Sequence, residues 1–249
     1  MTHAARDVVV ITGAAQGIGL HCALLAAEAG ASVAILDVNA AAADRAAASL
    51  PGGPHLAVAG DVTDRASMDA AIAEVAATIG PPTAVVAAAG IVSRTPLADA
   101  TSEEFRRVFA VNVEGVHHTI AAAVPHLRAA GARGSIVALG SVAAATGGGL
   151  MGNGVYAMSK AAVEGLVRGY ARELAPWGVR ANVVAPGATE TPMTSVLSDE
   201  DVARITSMSL LGRMCRPEEI AGVVTFLLGG AAGAITGQVL RPNGGVVFG

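Results

Sequence analysis

The stretch Val8-Val9-Val10-Ile11-Thr12-Gly13-Ala14-Ala15-Gln16-Gly17-Ile18-Gly19 decides the fold. Four β-branched residues in a row, with no polar alternation, read as a strand covered on both faces. Glycines then break the strand, and Ile18 to Ala29 continues as an alanine-rich helical stretch. A glycine turn between strand and helix lets the backbone approach an anion closely and sets that anion on the positive helix end. Three glycines alone are a weak signal. Their position between a strand and a helix gives them weight.

The same alternation repeats outward. Further apolar runs are Ser32 to Leu36, Leu56 to Ala59, Ala84 to Val86, Ser135 to Leu139 and Val179 to Val184. Between them lie helical stretches at 40–50, 64–79, 113–129 and 155–174, with Thr63-Asp64 and Thr101-Ser102 as starts and Gly30 and Gly80-Pro81 as stops. Strands alternating with helices of this length imply right-handed βαβ units and a parallel sheet. No linker, repeat or composition break divides residues 1–249, so one doubly wound α/β domain is expected. Gly147-Gly148-Gly149 and Gly152-Asn153-Gly154 form a flexible island between a strand and a helix, which reads as an active-site loop.

Composition narrows the function classes. The 249 residues are 53% hydrophobic and 14% charged, which excludes a disordered chain or a polyelectrolyte. A net charge of −4 with no basic stripe argues against a nucleic-acid partner. Cys22 and Cys215 have no metal or disulfide spacing, and the doublet His117-His118 lacks a helical partner ligand, so no metal site is expected. Met1 to Asp7 and the short run after it do not make a secretory signal, and Ala84 to Val92 is too short to span a bilayer. A soluble, cytoplasmic protein is the expectation.

The second strand ends in Leu36-Asp37-Val38, eighteen residues after Gly19. An acid at that place accepts hydrogen bonds from ribose hydroxyls and repels a 2′-phosphate, so NAD(H) is expected over NADP(H); a helix-capping role for Asp37 is the competing reading. With these motifs the chain resembles the short-chain dehydrogenases/reductases, through Thr-Gly-x-x-x-Gly-x-Gly and a match along essentially the whole length. The resemblance implies a single-domain Rossmann fold with seven parallel strands and helices on both faces. It implies cofactor contacts from Gly13, Gln16, Gly17, Ile18 and Gly19, adenine contacts from Asp61 and Val62, and a place for Ala89-Gly90 beside the cofactor. Ala87 and Ala88 stand where the family carries asparagines that brace the central sheet.

Tyr156-Ala157-Met158-Ser159-Lys160 opens a helix, so Tyr156 and Lys160 face one site. A phenol is a poor base at neutral pH, and a nearby ammonium favours the phenolate. Tyr156 is therefore expected to exchange an alcohol proton while hydride moves to or from the cofactor, with Ser141 polarising the substrate oxygen. Resemblance adds Asn112 as the holder of a relay water and gives Lys160 the nicotinamide ribose. It further assigns Pro186, Gly187, Thr189 and Thr191, in Pro-Gly-x-x-x-Thr, to the nicotinamide carboxamide. The stretch from Ser141 to Tyr156 is longer than usual for the family, which reshapes the pocket wall.

A substrate lid is expected at about 190–212, with Met193, Val196, Leu197 and Met208 on one side and Ala143, Ala144, Leu150 and Met151 on the other. Methionines suit an adaptable apolar pocket. The expected substrate is a neutral or weakly polar secondary alcohol or its ketone, with Arg94 and Arg204 left open as carboxylate clamps. A 3-oxoacyl-carrier-protein reductase and a cyclic dihydrodiol dehydrogenase are alternatives within the family, and a non-catalytic dinucleotide-binding protein is one outside it. Small apolar residues on several faces of 113–129 and 155–174 point to a homotetramer, with the Ile235-Thr236-Gly237-Gln238 strand region as a second interface implied by the family.

Overall fold

The computed structural model describes residues 7–149 and 152–248. Seven strands are present: β1 (Val8–Thr12), β2 (Ser32–Asp37), β3 (His55–Ala59), β4 (Ala84–Ala87), β5 (Ser135–Leu139), β6 (Arg180–Val184) and β7 (Val239–Leu240). They pair in parallel in the order β3-β2-β1-β4-β5-β6-β7. The chain reverses its direction of travel across the sheet between β3 and β4. β1 and β4 are neighbours at that switch point, and the crevice beyond their carboxyl ends is where open α/β sheets bind ligands.

The unbroken apolar runs have a simple cause. Val8 and Val10 of β1 enter one core while Val9 and Ile11 enter the other, and β2, β4 and β5 divide their residues in the same way. One core is closed by α1 (Gly17–Glu28), α2 (Ala40–Ser49) and a late helix, Pro217–Leu228. The other is closed by α3 (Arg65–Thr78), by a helix at Gly115–Ala130 and by one at Gly154–Leu174. Alanines such as Ala23, Ala26 and Ala27 on α1 let the helix backbone lie close to the sheet. Ile11, Ile35, Ile72 and Ile120 are fully buried, each contributing about 1.5–3 kcal/mol relative to exposure.

In chain order the remaining helices are α4 (Ser102–Phe109), α5 (Gly115–Ala130), α6 (Ala143–Thr146), α7 (Gly154–Leu174), α8 (Asp199–Met208) and α9 (Pro217–Leu228). The expected starts cap as their residue types require. Asp64 accepts from Ala66 N at α3, and Thr101 accepts from Glu104 N at α4. A π turn, Ala110–Glu114, precedes α5 and buries Asn112. Helix α8 does not stand out in the apolar periodicity, whereas α9 carries a buried stripe of Ile220, Ala221, Val224 and Leu227. The C-terminal strand is displaced from its expected place: β7 begins at Val239, and 235–238 leads into it, tied to β6 by Gly237 N to Ala181 O and Val183 N to Gln238 O.

Arg180, at the start of β6, is buried and donates to the carbonyls of Leu227, Leu228 and Gly229. It places a cation on the negative end of α9. Among the described residues, no helix is long and apolar enough to cross a membrane.

Candidate active site

A cleft of about 790 Å³ opens at the carboxyl ends of the strands. Its floor is the first glycine turn. Gly13 has φ +63°, and a Cβ there would lie 2.6 Å from Ala89 Cα; at Gly19 it would lie 2.5 Å from Gly13 O. Only glycine lets β1, the turn and 88–90 approach this closely. The first turn of α1 carries no acid, and Gln16 gives it no side-chain cap. Its free N–H groups and open backbone cradle fit the pyrophosphate of a dinucleotide.

Every residue expected to contact the cofactor lines this one cleft, from Gly13 to Thr191, and Ser141 lines it too. At the β2 end, Asp37 accepts from Ala15 N at 3.2 Å and from Asn39 N at 3.0 Å, so the acid is fixed against the glycine turn. Val38 beside it is 76% exposed. One oxygen of Asp61 is engaged by the backbone and hydroxyl of Thr63. His118 Nδ1 donates to Val62 O at 2.9 Å, and His117 Nδ1 lies 2.8 Å from the Tyr170 hydroxyl.

Tyr156 and Lys160 lie one turn apart on α7, as their spacing requires, and the Ser141 hydroxyl, on the same cleft wall, favours the Tyr156 phenolate. Lys160 Nζ donates to Leu139 O at 2.8 Å and stands 5.7 Å from the centre of the Tyr156 ring. The expected acidification of the phenol is not seen in the protein alone. Burial raises the Tyr156 pKa against the opposing Ser141 hydroxyl, and burial brings Lys160 down to about 8. Desolvation disfavours both charged forms at this depth. Tyr156 thus presents a protonated hydroxyl.

Asn112 does not line the cleft; it sits behind Gly90, where a Cβ would lie 3.4 Å from both Asn112 Oδ1 and Lys160 Nζ. Its Oδ1 accepts from Ile91 N, and its Nδ2 donates to Ile91 O and Ser159 Oγ. Both amide hydrogens are therefore committed to Ile91 and Ser159, and Asn112 clamps the wall behind Gly90.

The segment after β6 is pinned twice. Glu190 N donates to Cys215 O and Cys215 N to Ala188 O, both at 2.9 Å. Thr194, not singled out by its sequence, accepts from Thr191 N and turns its hydroxyl to the carbonyls of Thr189 and Thr191. Thr191 closes on the glycine turn, 3.6 Å from where a Gly17 Cβ would lie.

The glycine island is a clipped turn rather than a loose loop. Gly149 and Gly152 pair across it, Asn153 N donates to Ser93 O at 2.8 Å, and Asn153 Nδ2 donates to Arg94 O. Ser93 and Thr95 both donate to Glu104 Oε1, which holds that carboxyl below its usual range. Gly152 faces Tyr156 so closely that a Cβ would lie 2.8 Å from Tyr156 Cγ. Leu150 and Met151, expected on the pocket wall, lie outside the described residues. Of the two arginines left open, Arg204 lines the cleft and Arg94 does not.

Residues 13–247 match the family model described as enoyl-(acyl carrier protein) reductase. The chain is 36% identical over 249 residues to (3R)-3-hydroxyacyl-CoA dehydrogenase of Mus musculus, covering 96% of this chain and 95% of that one. It is 38% identical over 244 residues to cis-4-hydroxycyclohexanecarboxylate dehydrogenase of Sinomonas cyclohexanicum, covering 97% and 96%. The fold matches the crystal structure of a short-chain dehydrogenase/reductase, SDR:Glucose/ribitol dehydrogenase, from Brucella melitensis. That match has a TM-score of 0.91 and 33% identity, and it covers 98% of this chain and 97% of the other. The glycine cradle, the seven-stranded sheet and these matches agree: the chain belongs to the short-chain dehydrogenase/reductase family, whose members are dinucleotide-dependent oxidoreductases acting on CH–OH groups.

Proposed function

We propose that the protein is an NAD(H)-dependent enzyme that interconverts a secondary alcohol and its ketone, with Tyr156 as the acid/base. The observation that carries this reading is the convergence of Ser141, Tyr156 and Lys160, with Lys160 beside the ring, in the cleft that also contains Asp37. The nicotinamide supplies the hydride acceptor or donor. Ser141 orients the substrate oxygen, and Tyr156 gives or takes its proton. Lys160 holds the ribose and favours the phenolate, and positive charge on an oxidised nicotinamide would lower the Tyr156 pKa against burial.

The carboxylate of Asp37 supports NAD(H), since the cations of the cleft, Lys160 and Arg204, lie on α7 and α8 rather than beside β2. A carrier-protein reductase would need NADPH and an acidic partner, and both Asp37 and the net charge of −4 weigh against it. The relatives named above are called after a hydroxyacyl thioester, a cyclic hydroxy acid and a polyol. A carbinol is what the three substrates share. In this reading residues 1–249 act as one domain, with 190–212 as the lid.

The assembly that fits is a homotetramer. Gly165 and Gly169 on α7 and Gly222 on α9 face open space in the single chain, where closely packed helices of a second copy would lie. Light scattering at micromolar concentration checks it, and a monomer refutes it.

The test of the activity is a panel of secondary alcohols and ketones followed by NADH absorbance. NAD(H) is expected to exceed NADP(H) by at least about tenfold in kcat/KM. Tyr156→Phe is expected to lower kcat by at least about 10²-fold while NADH binding stays near normal. Retention of more than about a tenth of wild-type turnover would overturn the assignment.

A further inference from the structure

The charged lining of the cleft is uneven. Among the described residues it comprises Asp37 and Asp61 at the ends of β2 and β3, together with Lys160 and Arg204. Lys160 is committed to Leu139 O and sits against Tyr156. Arg204 projects from α8 and is exposed. Glu200, four residues earlier, stands at the spacing of a helical ion pair. No such pair forms, and Arg204 has no carboxylate within 4.0 Å among the described residues. The cleft lining also contains the apolar Met193, Ile205, Met208 and Val246, with Ile205 and Met208 on the same helix as Arg204.

We propose that Arg204 is the anion anchor of the substrate site, and that the substrate is an aliphatic or alicyclic hydroxy acid, or its oxo acid in reverse. The inference rests on the reading of Tyr156 and NAD(H) given above and names the substrate class for that same site. The carboxylate takes the planar guanidinium fork, which matches it in two parallel hydrogen bonds. The hydrocarbon body lies along Met193, Met208 and Val246, and the carbinol reaches Tyr156. In oxidation NAD would supply the hydride acceptor for the carbinol carbon, and Tyr156, as the phenolate favoured by Lys160 and the oxidised nicotinamide, would take the hydroxyl proton, leaving a ketone and an untouched carboxylate. A polyanion such as a nucleotide thioester is disfavoured, because Asp199, Glu200 and Asp201 occupy the first turn of the same helix. In this reading the substrate carries an anion, where the lid's composition alone suggests a neutral alcohol.

The experiment compares secondary hydroxy acids of increasing chain length, from 3-hydroxybutanoate upward, with their methyl esters and coenzyme A thioesters. Each is oxidised with NAD by wild type, Arg204→Met and Arg204→Lys. The best acid is expected to exceed its ester in kcat/KM by at least about tenfold in wild type, the weight of one charge-assisted contact. In Arg204→Met that preference falls to within about twofold, and Arg204→Lys keeps part of it. NADH binding by fluorescence shows that the variant clefts are intact. Acid and ester turned over alike, or a thioester favoured over the acid, overturns the anion assignment while the alcohol chemistry stands. If no member of the panel is oxidised with NAD, the reading of the site fails and the anchor fails with it.

Discussion

Replacing Gly152 by alanine tests whether the glycine turn sets the position of the catalytic phenol. A Cβ at 152 would lie 2.8 Å from Tyr156 Cγ and 3.1 Å from Tyr156 Cβ. Those atoms are the root of the side chain, held on the first turn of α7, so the ring cannot swing clear while its Cβ stays in place. The turn cannot retreat easily either, since Gly149 pairs with Gly152 and Asn153 N is bonded to Ser93 O. Relief therefore comes from tilting the ring, which moves its hydroxyl relative to Ser141, or from strain of about 1–3 kcal/mol. A misplacement near 1 Å at the reacting atom costs about 10²-fold. Gly152→Ala is expected to lower kcat by about 10- to 100-fold, with NADH affinity unchanged because the glycine turn at 13–19 and Asp37 are remote from it. The assay pairs steady-state kinetics on a verified alcohol with NADH fluorescence titration. Wild-type kcat in a folded Gly152→Ala protein would refute the reasoning.

Two further outcomes test the framework of the site. Arg180→Met removes three hydrogen bonds from the carbonyl end of α9. Leu227 O keeps Ser135 Oγ and Gly229 O keeps Ala232 N, but Leu228 O loses its donor, so urea unfolding is expected to show a loss of about 2 kcal/mol; a loss under about 0.5 kcal/mol would show that water replaces the guanidinium. Lys160 has a folded pKa of about 8 against 10.5 for a free lysine, so between those values only the unfolded chain keeps the proton and stability rises with pH. In the ligand-free protein, the stability advantage of Lys160→Met over wild type is expected to be greatest below pH 8, at most about 3 kcal/mol, and to vanish towards pH 10.5. An advantage that does not change with pH would contradict a depressed Lys160.

What the sequence disclosed and what it hid follow one physical division. A strand buried on both faces carries its environment in every residue, so Val8 to Ile11 and Ser135 to Leu139 are legible as strands without any partner. The glycine turn is legible because backbone crowding at Gly13 and Gly19 admits no other residue type. Tyr156 and Lys160 are legible because one helix carries both. α8 hides because it covers a cleft instead of a core and buries no residue, so no apolar stripe marks it. α9 is legible both at its start, by Pro217 with Glu218 and Glu219, and in the stripe Ile220, Ala221, Val224 and Leu227, whereas β7 is only two residues long. The raised pKa of the phenol in the protein alone is hidden for the same reason: the ammonium is a neighbour in sequence, whereas the opposing burial is contributed by the whole cleft. Asn153 against Ser93 and Glu190 against Cys215 are contacts through space between segments far apart in the chain. Such contacts brace the substrate half of the cleft, where folding, and not local spacing, decides which segments meet. A family that keeps its cofactor half in local motifs and its substrate half in such contacts can change its alcohol without changing its chemistry, which is why the reaction is readable here before the substrate is.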